Sequence, residues 1–357
     1  MKKFASILLT LAMLLSLAAC GSGSSDSGSG ASSSSGSSAS ADSGSSGEAA
    51  YSFAIGTNTS QDSNNHEMVQ KFADLLAEKS GGSITATLYE AGALGGDAEL
   101  TQGIINGSID FIIGNPATVV DYVAAAAIFD MPSVYPDIET ARAVLSDESL
   151  LTELRASYSA AGIALLSFGD SGYRVTSSNK NVESMPDFSG IKIRTMNNNN
   201  HIAYWQALGS NPTPMDFNEV YTCLEQNTLD AQENPYDLIY SSKFYECQDY
   251  VIETNHLPHV LELIGSQSVM DKLPEDVQSL IYECAAEAAE YERQVADERI
   301  GDEKKVIEES GTKIVVLSDE VHAQMAEKAD SIYDMVRTQA GEKLVDLVLK
   351  LADQYSK

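Results

Sequence analysis

One helical pattern is too long for a single small domain, and it sets the scale of the fold. It opens at Leu273-Pro274-Glu275-Asp276, where a proline followed by acids marks a helix start, and runs to about Glu309. Helices in globular proteins average three or four turns. A helix of this length could span two bodies as a brace. The chain has the matching size: beyond residue 48 roughly 310 residues remain, too many for one compact core and enough for two lobes.

Around that brace, strand and helix patterns alternate. Residues 51–55 read as a strand. Residues 66–79 read as an amphipathic helix, with Met68, Phe72, Leu75 and Leu76 at helical spacing and Gly81-Gly82 as its stop. Strands are predicted at 84–89 and at 109–113, the latter apolar and central in its sheet. Helices follow at 138–145 and 148–160, then a strand at 163–168. The glycines of 169–172 mark the first crossing between lobes. Beyond them lie strands at 173–177, 191–195 and 229–232, and helices at about 200–208 and 216–226. The chain crosses back near 254–259 into the strand-rich stretch 260–270. After the long helix come a strand at 314–317 and helices at 319–338 and 342–354. Such alternation predicts an α/β fold, with a largely parallel sheet in the first lobe. Lobe I takes 49–171 plus about 260–299, and lobe II takes 172–259 plus about 300–357.

The amino-terminal end points outside the cytoplasm. Lys2 and Lys3 precede an unbroken small or apolar run over 4–19, so residues 1–19 read as a signal peptide. The run is about 16 residues, short of the roughly 20 that span a bilayer. Leu17-Ala18-Ala19-Cys20 fits a bacterial lipobox, with Cys20 diacylated as the new terminus. From Gly21 to Gly47 the chain is nearly all Ser, Gly and Ala, with Asp26 and Asp42 its only charges. That composition buries no core and predicts a disordered tether over 20–48. The expectation is an extracytoplasmic protein, lipid-anchored to the cell membrane.

A formal charge of −30 argues against nucleic acid or an anionic membrane surface as partner. It also means that an anionic ligand needs local cations. Past Cys20 the cysteines are Cys223, Cys247 and Cys284, an odd number without C-x-x-C spacing. A disulfide framework or zinc site is therefore not expected, and a Cys223–Cys247 bridge stays open. No G-x-S-x-G, no Walker loop and no G-x-G-x-x-G after a strand occurs, so no enzyme, cofactor or metal is predicted. His256 and His259 flank Pro258 in an extended segment that sends them to opposite faces. They read as structural or hinge residues.

Binding has better support. Among seven arginines, Arg174 and Arg194 fall on predicted strands of one lobe. A guanidinium presents a fixed fork of donors that matches a carboxylate. Arg142 and Arg155 sit on helices among acids and read as solvated surface. No acid follows Arg194 before Asn200, which weakens a local ion-pair reading. The amides of Asn197 to Asn200 suit hydroxyl groups, although asparagine also starts helices, here the one bearing Trp205. Two stretches echo one another: NGSIDFIIGNP (106–116) and NTLDAQENP (227–235) both read as helix end, Asp, strand, Asn-Pro. Two such turns at strand carboxyl ends would face one crevice, where α/β sheets bind ligands.

These residues carry a family resemblance. GIKIR (190–194), ALGSNPTPM (207–215), FNEVY (217–221), DAQENP (230–235), and SKFYE (242–246) through TNH (254–256) are its strongest parts; LGGD (94–97) and LPED (273–276) add to it. From about Phe53 to the carboxyl terminus the chain resembles a DctP-type solute-binding protein of the tripartite ATP-independent periplasmic (TRAP) transporters. The resemblance implies a two-lobe periplasmic-binding-protein-like fold of class II type, closing over an organic acid and delivering it to TRAP permease subunits, as a monomer. It makes Arg194 the carboxylate clamp and Arg174 a second cation. Asn234 and Phe217 would line the same cleft, with Asn197 from the second lobe and Asn58, Asp97 and Asn115 from the first. Sialic-acid-binding members place an acid where Asn115 stands, and the usual R-V-P is Arg194-Thr195-Met196 here. An amide-rich cleft with two arginines leans toward a sugar acid such as a uronate. A C4-dicarboxylate or keto acid in the same role, and a sensory module serving a receptor kinase, are the alternatives.

Overall fold

The computed structural model describes residues 49–357. The stretches read above as a signal peptide (1–19), a lipidation site (Cys20) and a tether (to residue 48) lie outside the described residues. In chain order the first lobe supplies β1 (Tyr51–Gly56), α1 (Asn64–Lys79), β2 (Ile84–Tyr89), α2 (Asp97–Asn106), β3 (Phe111–Gly114), α3 (Ile138–Leu145), α4 (Glu148–Ala160) and β4 (Ile163–Tyr173). The second supplies β5 (Val175–Ser178), β6 (Lys192–Thr195), α5 (Asn199–Ala207), β7 (Asn211–Pro214), α6 (Val220–Glu225), β8 (Ala231–Asn234), α7 (Tyr236–Ser241) and β9 (Tyr250–Glu253). The chain returns through β10 (Pro258–Ser266) and α8 (Gln267–Met270). It ends in α9 (Glu275–Glu309), β11 (Lys313–Val316), α10 (Asp319–Glu327), α11 (Asp330–Ala340) and α12 (Glu342–Tyr355).

Two sheets result, ordered β2-β1-β3-β10-β4 and β11-β9-β5-β8-β6-β7. Both are mixed, which for the first corrects the expectation of a largely parallel sheet. In the first, β1 runs parallel to β2 and β3, while β10 is antiparallel to β3 and β4. In the second, only β5 is reversed against its neighbours β8 and β9. The reason lies in the crossings. Strands native to each sheet end at the crevice between lobes, whereas β5 and β10 enter from the other lobe and so begin there. Strand β4 continues through 169–172 to Tyr173, with a register shift opposite Pro258 to Val260, and the crossing falls at Arg174, between strands. The glycine at 169 serves packing: a Cβ there would collide with the Glu292 carboxylate of α9.

The long helix forms as the sequence indicates. It spans 35 residues and packs on α1 and β4 of the first lobe and on α7 and β11 of the second. Its Cys284, Ala285, Ala288 and Ala289 are buried against Met68, Phe72 and Phe111. Small residues on that stripe let the helix sit close to α1. Phe72 meets Phe111 edge-on at 5.6 Å, an arrangement worth about 1 kcal/mol beyond burial. The helical run expected over 319–338 breaks into α10 and α11 at Lys328 and Ala329. Helices α11 and α12 pack back on α3, α4 and the 3-10 turn Ala124–Asp130 of the first lobe, while β11 joins the second sheet. No helix among the described residues is long and apolar enough to cross a membrane.

Candidate functional site

The two Asn-Pro turns arise in the same way. Before β3, Asp110 Oδ2 accepts the backbone N–H of Ala54 on the neighbouring strand; before β8, Asp230 Oδ2 accepts that of Lys192. Each preceding helix ends in a left-handed residue, Gly107 (φ 78°) and Asn227 (φ 54°). The echo in sequence is thus an echo in hydrogen bonding. Each strand then delivers its asparagine, Asn115 or Asn234, to one cavity between the lobes. Asn58, just past β1, and Arg194, near the end of β6, reach the same space, together with Asp97 and Phe217.

Arg194 dominates this space. It is 1% exposed, and Nε and Nη2 donate to the Met215 carbonyl at 3.1 and 2.7 Å. Among the described residues it has no ion pair, and Nη1 has no hydrogen-bond partner. Its guanidinium lies 5.9 Å from the centre of the Phe217 ring, which Phe244 holds edge-on. Burial pulls its pKa down to about 10, against the attraction of Asp97 and Glu233. A buried cation without a counter-ion is costly unless one arrives.

Opposite, Asn58 Nδ2 donates to Asp97 Oδ1 at 2.6 Å. Burial raises the Asp97 pKa to about 6, with Arg194 pulling the other way. Asn115 donates to the Val260 carbonyl and accepts from Ala117 N–H, each at 3.0 Å, leaving one N–H and one lone pair free of protein bonds among the described residues. The lobes meet over the cavity where the turn at Gly92 to Asp97 faces the loop after β7. A Cβ on Gly92, whose φ is +72°, would stand 2.6 Å from Asn218 Nδ2. A side chain at this φ is strained, and the Asn218 amide would have to swing aside to admit one.

Two predicted residues lie elsewhere. Arg174 does not line the cavity: it is 1% exposed and bound from every side. Nε and Nη2 grip the Glu233 carboxylate at 2.5 and 2.8 Å, Nη2 also reaches Asn234 Oδ1, and Nη1 meets His259 Nδ1 at 2.5 Å. Burial favours the neutral form of Glu233. Even so, Arg174, His201 and His256 hold its pKa well below the usual range. For His201, burial opposes the charge, yet the contact with Asp130 at 3.1 Å and the Glu233 carboxylate 3.7 Å away lift its pKa to about 9. Asn197 is exposed, 3.4 Å from Asp216 Oδ1. Asn199 is exposed as well, whereas Asn198 and Asn200 turn inward. Asn198 caps α5 and donates to Ala117 O and Asp130 Oδ2, and Asn200 also donates to Asp130, so both tie the second lobe to the first. Trp205 is fully buried against Phe188 and Tyr204. Cys223, Cys247 and Cys284 are free thiols.

Sequence reasoning missed His259, Thr59, Asn65 and Thr118 on the cavity wall. A signal existed for three of them. Thr59 and Asn65 follow the carboxyl end of β1, and Thr118 follows β3, the side where such sheets gather ligands. His259 had none, because its place depends on β10 entering from the crevice.

Comparison with known proteins gives this geometry a context. The family model for bacterial extracellular solute-binding proteins, family 7 (DctP), matches residues 55–339. The 2,3-diketo-L-gulonate-binding periplasmic protein YiaO of Escherichia coli K12 is 32% identical over 271 residues, 75% of this chain and 81% of that one. The sialic acid-binding periplasmic protein SiaP of Vibrio cholerae is 30% identical over 236 residues, 65% of this chain and 73% of that one. The sugar acid binding protein DctPAm of Advenella mimigardefordensis, solved in complex with galactonate, aligns with a TM-score of 0.82 at 28% identity. That alignment covers 85% of this chain and 98% of the other. With the family pattern spanning both lobes and the cavity between them, the chain belongs to the DctP family of bacterial extracellular solute-binding proteins.

Proposed function

We propose that this protein captures a sugar acid between its lobes and delivers it to TRAP permease subunits, anchored to the membrane through a lipid on Cys20. The observation that carries the reading is Arg194: a buried guanidinium in the cavity wall, without an ion pair among the described residues. A ligand carboxylate is the natural partner of its free Nη1. The hydroxylated character follows from the opposite wall. Asp97 and the amides of Asn58, Asn115 and Asn234 accept and donate hydrogen bonds, which suits O–H groups. An ionised Asp97 would repel a second carboxylate, so a dicarboxylate fits less well. The diketogulonate and galactonate named for the relatives are sugar acids of this kind. The anchor rests on Leu17-Ala18-Ala19-Cys20 and the Ser/Gly segment behind it.

Calorimetric titration of residues 49–357 with D-galactonate, D-galacturonate, 2,3-diketo-L-gulonate, succinate and pyruvate tests the reading. A sugar acid should bind more tightly than succinate. Arg194→Lys should weaken that binding roughly thirtyfold or more, because a point charge does not reproduce the fork. Tighter succinate binding, or an indifferent Arg194→Lys variant, would overturn it. Labelling of the full chain with radioactive palmitate, abolished by Cys20→Ala, is the expected result for the anchor.

A further inference from the structure

We infer that His259 is a specificity-determining residue of this cavity: a neutral imidazole whose Nε2–H reads an acceptor oxygen of the ligand. The inference rests on the binding reading above and adds to it the chemistry required at one further point.

The argument starts from Arg174. A guanidinium has five N–H donors and no acceptor. Its Nη1 lies 2.5 Å from His259 Nδ1, so Nδ1 must be the acceptor and carry no proton. A neutral imidazole with Nδ1 bare has its proton on Nε2. Nothing lets Arg174 turn away from this bond. Nε and Nη2 are held by the Glu233 carboxylate, and Nη2 also donates to the Glu233 carbonyl at 2.7 Å. Protonating Nδ1 would point an N–H at another N–H beside a cation, so the ring stays neutral. Burial and Arg174 both push its pKa well below the usual histidine value.

The remaining nitrogen is where the function enters. His259 is 3% exposed and lines the cavity with Arg194, Asn115 and Asn234. Its Nε2 has no hydrogen-bond partner among the described residues. A donor left unpaired once a ligand excludes water is unfavourable, so a ligand presenting a keto, hydroxyl or carboxylate oxygen is favoured there over one with a methyl or ammonium group. Arg174 thereby acts on the ligand through His259, as a positioning residue that fixes which nitrogen holds the proton. The two arginines then share one cavity at different removes, one directly and one through a histidine.

Two substitutions separate this role from packing. In His259→Asn the amide oxygen falls where Nδ1 stood and still accepts from Arg174, but nothing reaches the position of Nε2. His259→Gln restores an N–H near that position. With D-galactonate and D-galacturonate as probes, His259→Asn should keep the melting temperature and lose about tenfold in affinity, and His259→Gln should recover part of it. Long-range 15N NMR of the wild-type imidazole should show Nδ1 unprotonated and Nε2 protonated from pH 5.5 to 8.5. The Nε2 proton should shift and exchange more slowly once a probe binds. A His259→Asn variant that binds as tightly as wild type, or a proton found on Nδ1, overturns the inference. If no acid in the panel binds wild type, the binding reading fails, and the tautomer measurement still decides the state of His259.

Discussion

The regions around Arg174 and Arg194 treat the same buried side chain in opposite ways. Both guanidiniums are 1% exposed and lie in the second lobe or at its entrance. Around Arg174 the protein supplies everything: a bidentate carboxylate, a carbonyl, an amide oxygen and an imidazole nitrogen. Around Arg194 it supplies one carbonyl oxygen and an aromatic face. A cation whose counter-ion belongs to the fold stabilises the fold. One whose counter-ion is withheld is poised for a ligand.

The largest test of this contrast is Arg174→Met. It leaves the Glu233 carboxylate buried without its strongest partner, and urea unfolding should show a loss of about 3–5 kcal/mol. A loss under about 1 kcal/mol would erase the distinction between the two regions.

A third buried ionisable group sharpens it. Asp237 of α7 crosses between the lobes to accept the backbone N–H of Asn64, at the start of α1, at 3.0 Å. Burial and nearby Glu303 raise its pKa from 3.8 to about 8, with Arg299 opposing. Between about pH 4 and 8 the folded chain therefore holds a proton that the unfolded chain has released. Stability contributed by this group is full below pH 4, declines as pH rises through the window, and levels off above about 8. Glu303, raised to about 7 by burial, adds in the same direction. The free energy of unfolding should fall by several kcal/mol between pH 5 and 8. Asp237→Asn, which keeps the acceptor for Asn64, should flatten part of that slope; an unchanged slope would assign it to other groups.

The smallest expected effect completes the comparison. Arg194→Met should change the unfolding free energy of the ligand-free protein by less than about 1 kcal/mol, in either direction, while abolishing measurable sugar-acid binding. Adding a bound sugar acid should then raise the melting temperature of wild type but not of this variant.

Much of this was legible in the sequence. The period of apolar residues gave the elements, the unbroken run from Glu275 gave the brace, and the Asp–strand–Asn-Pro echo located two walls of the cavity. Arg194 stood out because no acid follows it nearby. Arg174 looked equivalent at that level, since its partner Glu233 is remote in the chain and no local pattern joins them. Asn197 looked like part of the site for the converse reason: which members of an asparagine run turn inward depends on Asp130, in the other lobe.

By itself, then, the sequence determined the local terms: helix and strand periods, caps, turn residues, and a chain large enough for two lobes. Only the tertiary structure decided which buried charge is satisfied, which histidine nitrogen holds a proton, and why one strand in each sheet runs backwards. Periodicity is a property of neighbours along the chain. Charge pairing and strand direction are properties of neighbours in space, set when β5 and β10 cross between lobes and bring Glu233, Arg174 and His259 together.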